Sequence, residues 1–182
     1  VISNTAMIAL LLGGVHVLSP DHWVPLSLQS WQRGWNLKRT LGVALQLILL
    51  HVTLGLLAAL VLGEWARGLG TNGLFAFSLV MLLVMSIARF LRFSKLREAF
   101  LAGPNSKRGL VAAWSLLGPA ESLVPVVMKS LQSGESWLLP VLAYTAGSIV
   151  SGCVLVFWGR RLWNQPAVLA RGYLWVSRLS LR

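Results

Sequence analysis

The chain has 182 residues, of which 56% are hydrophobic and only 12% charged, and its mean hydropathy of +0.72 lies far outside the range of an ordinary soluble domain. The net charge of +11 does not make it a nucleic-acid binder, because the basic residues sit at the ends of apolar runs and no helix carries a basic face. One cysteine, Cys153, excludes a disulfide framework, a CxxC pair and a thiolate metal cage, and without a GxxxxGK motif the chain is not its own ATPase.

A hydrocarbon core about 30 Å thick needs about 20 mostly apolar residues per helix. The sequence supplies five such stretches and the beginning of a sixth. The first runs from Thr5 to Ser30, interrupted at Ser19-Pro20 and again at Pro25. Its residues 6–18 resemble the core of a signal peptide, but no small-residue cleavage site follows. The second span runs from Thr40 to Gly63 and the third from Gly73 to Phe93. The fourth covers Gly109 to Leu131, with breaks at Gly118-Pro119 and Pro125, and the fifth Trp137 to Trp163. Residues Asn164 to Arg182, with Arg171, Arg178 and Arg182, read as an interfacial helix or as a sixth span that is short or incomplete. The predicted fold is therefore all-α, a single polytopic transmembrane bundle over residues 1–182.

Lys and Arg cluster in alternate loops. Arg33, Lys38 and Arg39 follow the first span, Arg89, Arg92, Lys95, Arg97, Lys107 and Arg108 follow the third, and Arg160 and Arg161 close the fifth; Arg67 and Lys129 stand alone in the others. Under the positive-inside rule the loops after the first, third and fifth spans are cytoplasmic, so the N-terminus lies outside a cell inner membrane. Trp31, Trp35, Trp65, Trp137, Trp158 and Trp163 fall near span ends, as interfacial anchors should.

With this orientation the first span runs inward and the fourth outward, yet both carry the same break. Asp21-His22-Trp23-Val24-Pro25 aligns with Glu121-Ser122-Leu123-Val124-Pro125, and Ser30 with Ser130. The pattern reads as two inverted three-helix repeats, about residues 5–95 and 109–182, with discontinuous first and fourth helices. Many secondary transporters place a substrate site at their midplane in this way.

The chemistry gathers at the breaks. Pro20 deprives the His16 carbonyl of its helical hydrogen bond, Pro25 that of Asp21 and Pro125 that of Glu121, and broken backbone at this depth must be buried or line a cavity. All three histidines, His16, His22 and His51, lie in predicted spans, as do Asp21 and Glu121, two of only five acids. A carboxylate at a helix centre costs roughly 2.5–3.5 kcal/mol on insertion scales, so two of them point to function. On an unbroken helix His16 and His22 would stand about 120° apart, and the break near Pro20 lets them converge. Imidazole nitrogens with carboxylate oxygens and no thiolate suit nickel, cobalt or zinc, and protons compete for the neutral ring below about pH 6. Thr145, Ser148 and Ser151 in the fifth span read as packing residues, and Gly13 and Gly14 as points of close helix approach.

The segment from Gly14 to His22 has the form His-x4-Asp-His, which resembles the first-helix signature of the nickel/cobalt permease family, including its exporter-like branch. His51 with Gly55 in the next span, and Gly118 to Glu121 further on, are similar to later parts of the family pattern. Ser19-Pro20 stands where the stricter importers carry a second acid, and the His-rich loop of some exporters is missing. The resemblance implies metal recognition by His16, Asp21 and His22; His51 and Glu121 are expected to contribute from neighbouring helices. The expected function is alternating-access transport of a divalent metal, with no tightly bound cofactor and with a homo-oligomer or a membrane partner subunit as possible company. The rival is a non-transporting subunit of a larger membrane complex, using the histidines for haem or pigment ligation or for assembly. Enzymatic activity has the least support, since no nucleophile or substrate-binding motif accompanies the ligand residues.

Overall fold

The computed structural model describes residues 4–66 and 120–165, with single positions between Gly73 and Ile87. The predicted third span is thus described only in part; Gly118-Pro119 and the segment from 166 to 182 lie outside the described residues. Among the described residues the chain is entirely helical. The helices are α1 (Asn4–His16), α2 (Pro20–Gln32), α3 (Leu37–Ala66), α4 (Leu123–Ser133) and α5 (Leu138–Trp163). Gly73, Ala76, Val80, Leu83, Val84 and Ile87 are helical as well, and all but Gly73 are exposed.

The break in the first predicted span is real and sits at one place. Pro20 has no N–H to offer the His16 carbonyl, so α1 ends there, and the fixed φ of proline suits the first position of a new helix. Val17, Leu18 and Ser19 turn between the two, held by Leu18 N–H to Val15 O (3.0 Å), Ser19 N–H to His16 O (3.4 Å) and His22 N–H to Ser19 O (3.1 Å). Trp23 Nε1 adds a bond to the Leu18 carbonyl at 3.3 Å. The expected second interruption at Pro25 does not occur: Pro25 is buried inside α2, where packing holds the helix through one lost backbone bond.

Among the described residues two helices are long and apolar enough to cross a membrane, Leu37–Gly63 within α3 and Leu138–Trp163. At about 1.5 Å per residue the 13-residue α1 and the 13-residue α2 are each too short to do so alone. They lie in line along α5. Leu10 meets Gly147, Val17 meets Gly152, Trp23 meets Gly159 and Ser27 meets Trp163, so the two half-helices together run parallel to α5. By the same reading α3 runs parallel to α4, with Gly55 on Ala120 and Gly63 on Leu131, and antiparallel to α5, with Ile48 on Gly152 and Thr40 near Arg160.

The contact between α1 and α5 depends on small residues. A side chain on Gly13 would run into the Tyr144 carbonyl and one on Gly147 into the Leu10 carbonyl, while Ser148 Oγ donates to the Gly13 carbonyl at 3.2 Å. Such close backbone approach is how helices associate where the surroundings are as apolar as leucine. The core combines Ala9, Val52, Ala59, Leu123, Val127 and Tyr144. Facing outward are apolar residues such as Leu11, Val15, Leu57, Val61, Leu142 and Val150, an inversion of the soluble pattern.

Polar groups collect inside α2 instead. Ser27, Gln29 and Ser30 are fully buried; Ser30 and the buried Thr40 share a hydroxyl bond of 2.5 Å, and Trp163 Nε1 donates to Ser27 Oγ at 3.0 Å. Trp163 and Trp35, expected as interfacial anchors, are accordingly packed into the bundle, at 9% and 7% exposure. Trp158, at 56%, does face outward. An indole buried deeply needs a partner for its N–H, and Ser27 provides one for Trp163.

α2 and α4 close in the same way. Beyond each, a glycine takes the left-handed conformation, Gly34 with φ of 61° and Gly134 with φ of 67°. The next N–H, from Trp35 or Glu135, then returns to the carbonyl of Ser30 or Ser130 at 3.0 Å in both cases.

Candidate metal centre

Three elements deliver one histidine each to a common point. His16 is the last residue of α1, His22 lies in the first turn of α2, and His51 sits near the middle of α3. The turn at Val17–Ser19 replaces continuous helix between His16 and His22, so residues that α-helical periodicity would set far apart have ring centroids 4.5 Å apart in an edge-on arrangement. His51 stacks against His16 with centroids 5.3 Å apart and an interplanar angle of 10°, and lies 5.1 Å from His22.

One ligand nitrogen from each ring falls within 4.8 Å of the other two. His16 Nε2 and His51 Nε2 are 3.1 Å apart. Two imidazoles holding one ion at about 2.0–2.1 Å in tetrahedral or octahedral geometry have their nitrogens roughly 2.9–3.4 Å apart. The His16–His51 pair therefore has the spacing of two ligands on one metal, and the His22 nitrogen lies within 4.8 Å of both. His51 is 3% exposed, His16 and His22 are half-buried, and His22 Nε2 itself is shielded from solvent.

A small cavity of about 20 Å³ adjoins the cluster, lined by His22 and His51 and otherwise mainly by apolar side chains such as Val17, Leu26, Leu47 and Val156. That volume accommodates about one water-sized occupant. A second, wider cavity of about 210 Å³ lies between α1 and α4, bordered by Thr5, Ile8, Leu12, Pro125, Val126 and Lys129.

The predicted acids are placed differently. Asp21 occupies the second position of α2, beside His22 in sequence, and its side chain lies outside the described residues. Glu121 is half-buried in the turn that precedes α4 and does not belong to the three-histidine group. Its neighbour Ala120 donates its N–H to the His51 carbonyl at 3.2 Å, so the turn before α4 is docked on the same stretch of α3 that carries the metal-ligand candidate. A side chain on Gly55 would collide with Ala120, which explains a glycine one turn after His51. Two of the three carbonyls that proline was expected to free are satisfied by local backbone: His16 O by Ser19 at 3.4 Å and Glu121 O by Val124 at 3.2 Å.

Two residues beside the cluster were not singled out as site residues from sequence. Tyr144 of α5 is fully buried, its ring centroid 6.2 Å from that of His16, and its hydroxyl pairs with Ser122 Oγ at 2.7 Å. A tyrosine within an apolar span, in a chain with only two, was the available signal, because its hydroxyl has to find a partner there.

No protein-family model matches the chain, and no curated protein or solved structure does either.

Proposed function

We propose that this chain is a multi-pass inner-membrane protein that transports a divalent ion of the nickel, cobalt or zinc class, held in transit by His16, His22 and His51. The observation that carries this reading is the convergence of three histidine nitrogens at the point where α1 breaks into α2. Nitrogen donors without thiolate favour these ions over copper(I) on one side and over magnesium or calcium on the other. The His-x4-Asp-His resemblance to nickel/cobalt permeases gives the same class.

Alternating access supplies the mechanism. The two inverted repeats read from the sequence would rock against each other about the cluster, and the like-capped α2 and α4, 100 residues apart, support that pairing. The helix directions agree with the charge-derived topology, in which the first and fifth spans run inward and the second and fourth outward. Glu121, carried by the second break against His51, and Asp21 beside His22 complete the ligand shell as the ion changes sides.

Elemental analysis tests the reading. Detergent-purified protein exposed to nickel, cobalt and zinc should retain close to one metal per chain, and the His16→Ala/His22→Ala double variant should retain none. Metal-free wild type would overturn the proposal and leave assembly with a partner subunit as the role of the histidines.

A further inference from the structure

The contacts around the histidines form a closed circuit. His16 Nε2 meets His51 Nε2 at 3.1 Å; the His51 carbonyl accepts the Ala120 N–H at 3.2 Å; two residues on, Ser122 Oγ pairs with Tyr144 Oη at 2.7 Å; and the Tyr144 ring returns to the His16 ring at 6.2 Å between centroids. Four elements take part, α1, α3, α5 and the turn before α4. Three of the links are short polar contacts and the fourth is ring packing in the core, where Tyr144 is fully buried and its own backbone carbonyl lies against Gly13 of α1.

Each link has a directional consequence. Tyr144 is fully buried in the core, and the hydroxyl pair with Ser122 adds a directional hold at the far end of its ring, which lies tilted at 42° to the His16 ring with centroids 6.2 Å apart. Ser122 is likewise held in a turn whose Ala120 is seated on Gly55 and bonded to the carbonyl of His51. We infer that Tyr144 and Ser122 are positioning residues of the metal site, whose paired hydroxyls hold His16 and His51 at ligand spacing and tie the second break, with Glu121, to the occupancy of that site. This inference rests on the metal-binding reading above.

The pairing works at a distance from the ion, as partners outside the ligand shell commonly do in tuning metal affinity. It explains why a serine stands in the second break where the first has a histidine: at that position the hydroxyl serves the cluster from behind. It also makes the second break responsive, because a ring movement that closes His22 and His16 on an ion is transmitted through Tyr144 to Ser122.

Cobalt(II) is the probe, since its visible absorption reports both binding and ligand geometry. In the purified full-length chain, Tyr144→Phe keeps the ring and removes only the hydroxyl, while Ser122→Ala removes the same bond from the other side and leaves the aromatic packing untouched. Both should weaken cobalt binding by about fivefold or more, the loss expected for one buried hydrogen bond, and both should shift the cobalt spectrum. The double variant should be no worse than either single one, and Ser122→Thr, which retains a hydroxyl, should restore wild-type values. Unchanged affinity and spectrum in Ser122→Ala would overturn the inference, as would a loss in Tyr144→Phe that Ser122→Ala does not share, since that would assign the effect to packing alone. Wild type that binds no cobalt, nickel or zinc would instead overturn the metal reading itself, and this inference with it.

Discussion

Each of the three histidines has a different structural reason for being where it is. His16 ends a helix because a proline follows four residues later, His22 opens one, and His51 rides on uninterrupted helix and is the most deeply buried of the set. The sequence motif names only the first two, yet the nitrogen pair at 3.1 Å is His16 with His51. His51→Ala should therefore reduce metal affinity at least as much as His22→Ala. Loss of a partner outside the ligand shell already costs roughly 10–100-fold, so loss of this ligand should cost at least that, as measured by metal titration of the purified variants. Equal binding by His51→Ala and wild type would leave the His16–His22 motif as the whole site. The candidate histidines were legible in the sequence because intramembrane imidazoles are rare and chemically pointed. Tyr144 was not, since its role depends on a hydroxyl partner 22 residues away, a pairing that no local pattern encodes.

At the scale of elements, breaks and glycines do the positioning. The break at Pro20 was readable, because proline removes a specific hydrogen bond from a specific carbonyl. Pro25 was misread: a proline with the same local chemistry stays inside α2, since its effect is decided by packing that sequence alone does not display. The same holds for Trp35 and Trp163, whose position at span ends gave no sign that neighbouring helices cover them. Small residues are more predictable in their consequences. Gly147 lies so close to the Leu10 carbonyl that Gly147→Leu must separate α1 from α5, and rigid backbone rather than a flexible side chain stands in the way. Overpacking of this kind destabilises by about 1–3 kcal/mol or more, and the variant should melt at a lower temperature in detergent and lose metal together with the α1–α5 contact. Gly42, inside α3 where a side chain meets nothing, is the control: Gly42→Ala should leave metal content unaltered and should not lower the melting temperature, since alanine is the better helix former.

For the whole molecule, the decisive quantity is direction. Thr5 near Glu135 marks one end of the bundle, and Thr40 near Arg160 marks the other. On the proposed topology, charge alternation in the loops would put the first end outside. In a Cys153→Ser background, single cysteines at Asn4 and Ser136, both exposed, should react with a membrane-impermeant maleimide on intact cells. A cysteine at the exposed Asn36 should react only after permeabilisation. Labelling of Asn36 alone in intact cells would reverse the orientation, and labelling of all three would remove α3 and α5 from the membrane. Helical class and apolar exterior were legible from composition because the hydrophobic runs greatly exceed what a soluble core can hide. The side-by-side order of the helices was not, because exposed leucines look alike on every face.

The short contact between His16 Nε2 and His51 Nε2 has a chemical corollary for the cluster without its ion. Two neutral imidazoles can share a hydrogen bond between these nitrogens only if one presents N–H and the other a lone pair. A metal asks both nitrogens for lone pairs. A metal bound as proposed would therefore displace one proton from between the rings, either to the opposite nitrogen of the same imidazole or away from the cluster. On the proposed function that proton would act as a doorkeeper: ions with strong affinity for nitrogen would displace it, while magnesium and calcium, which gain little from imidazole, would leave the rings bonded to each other.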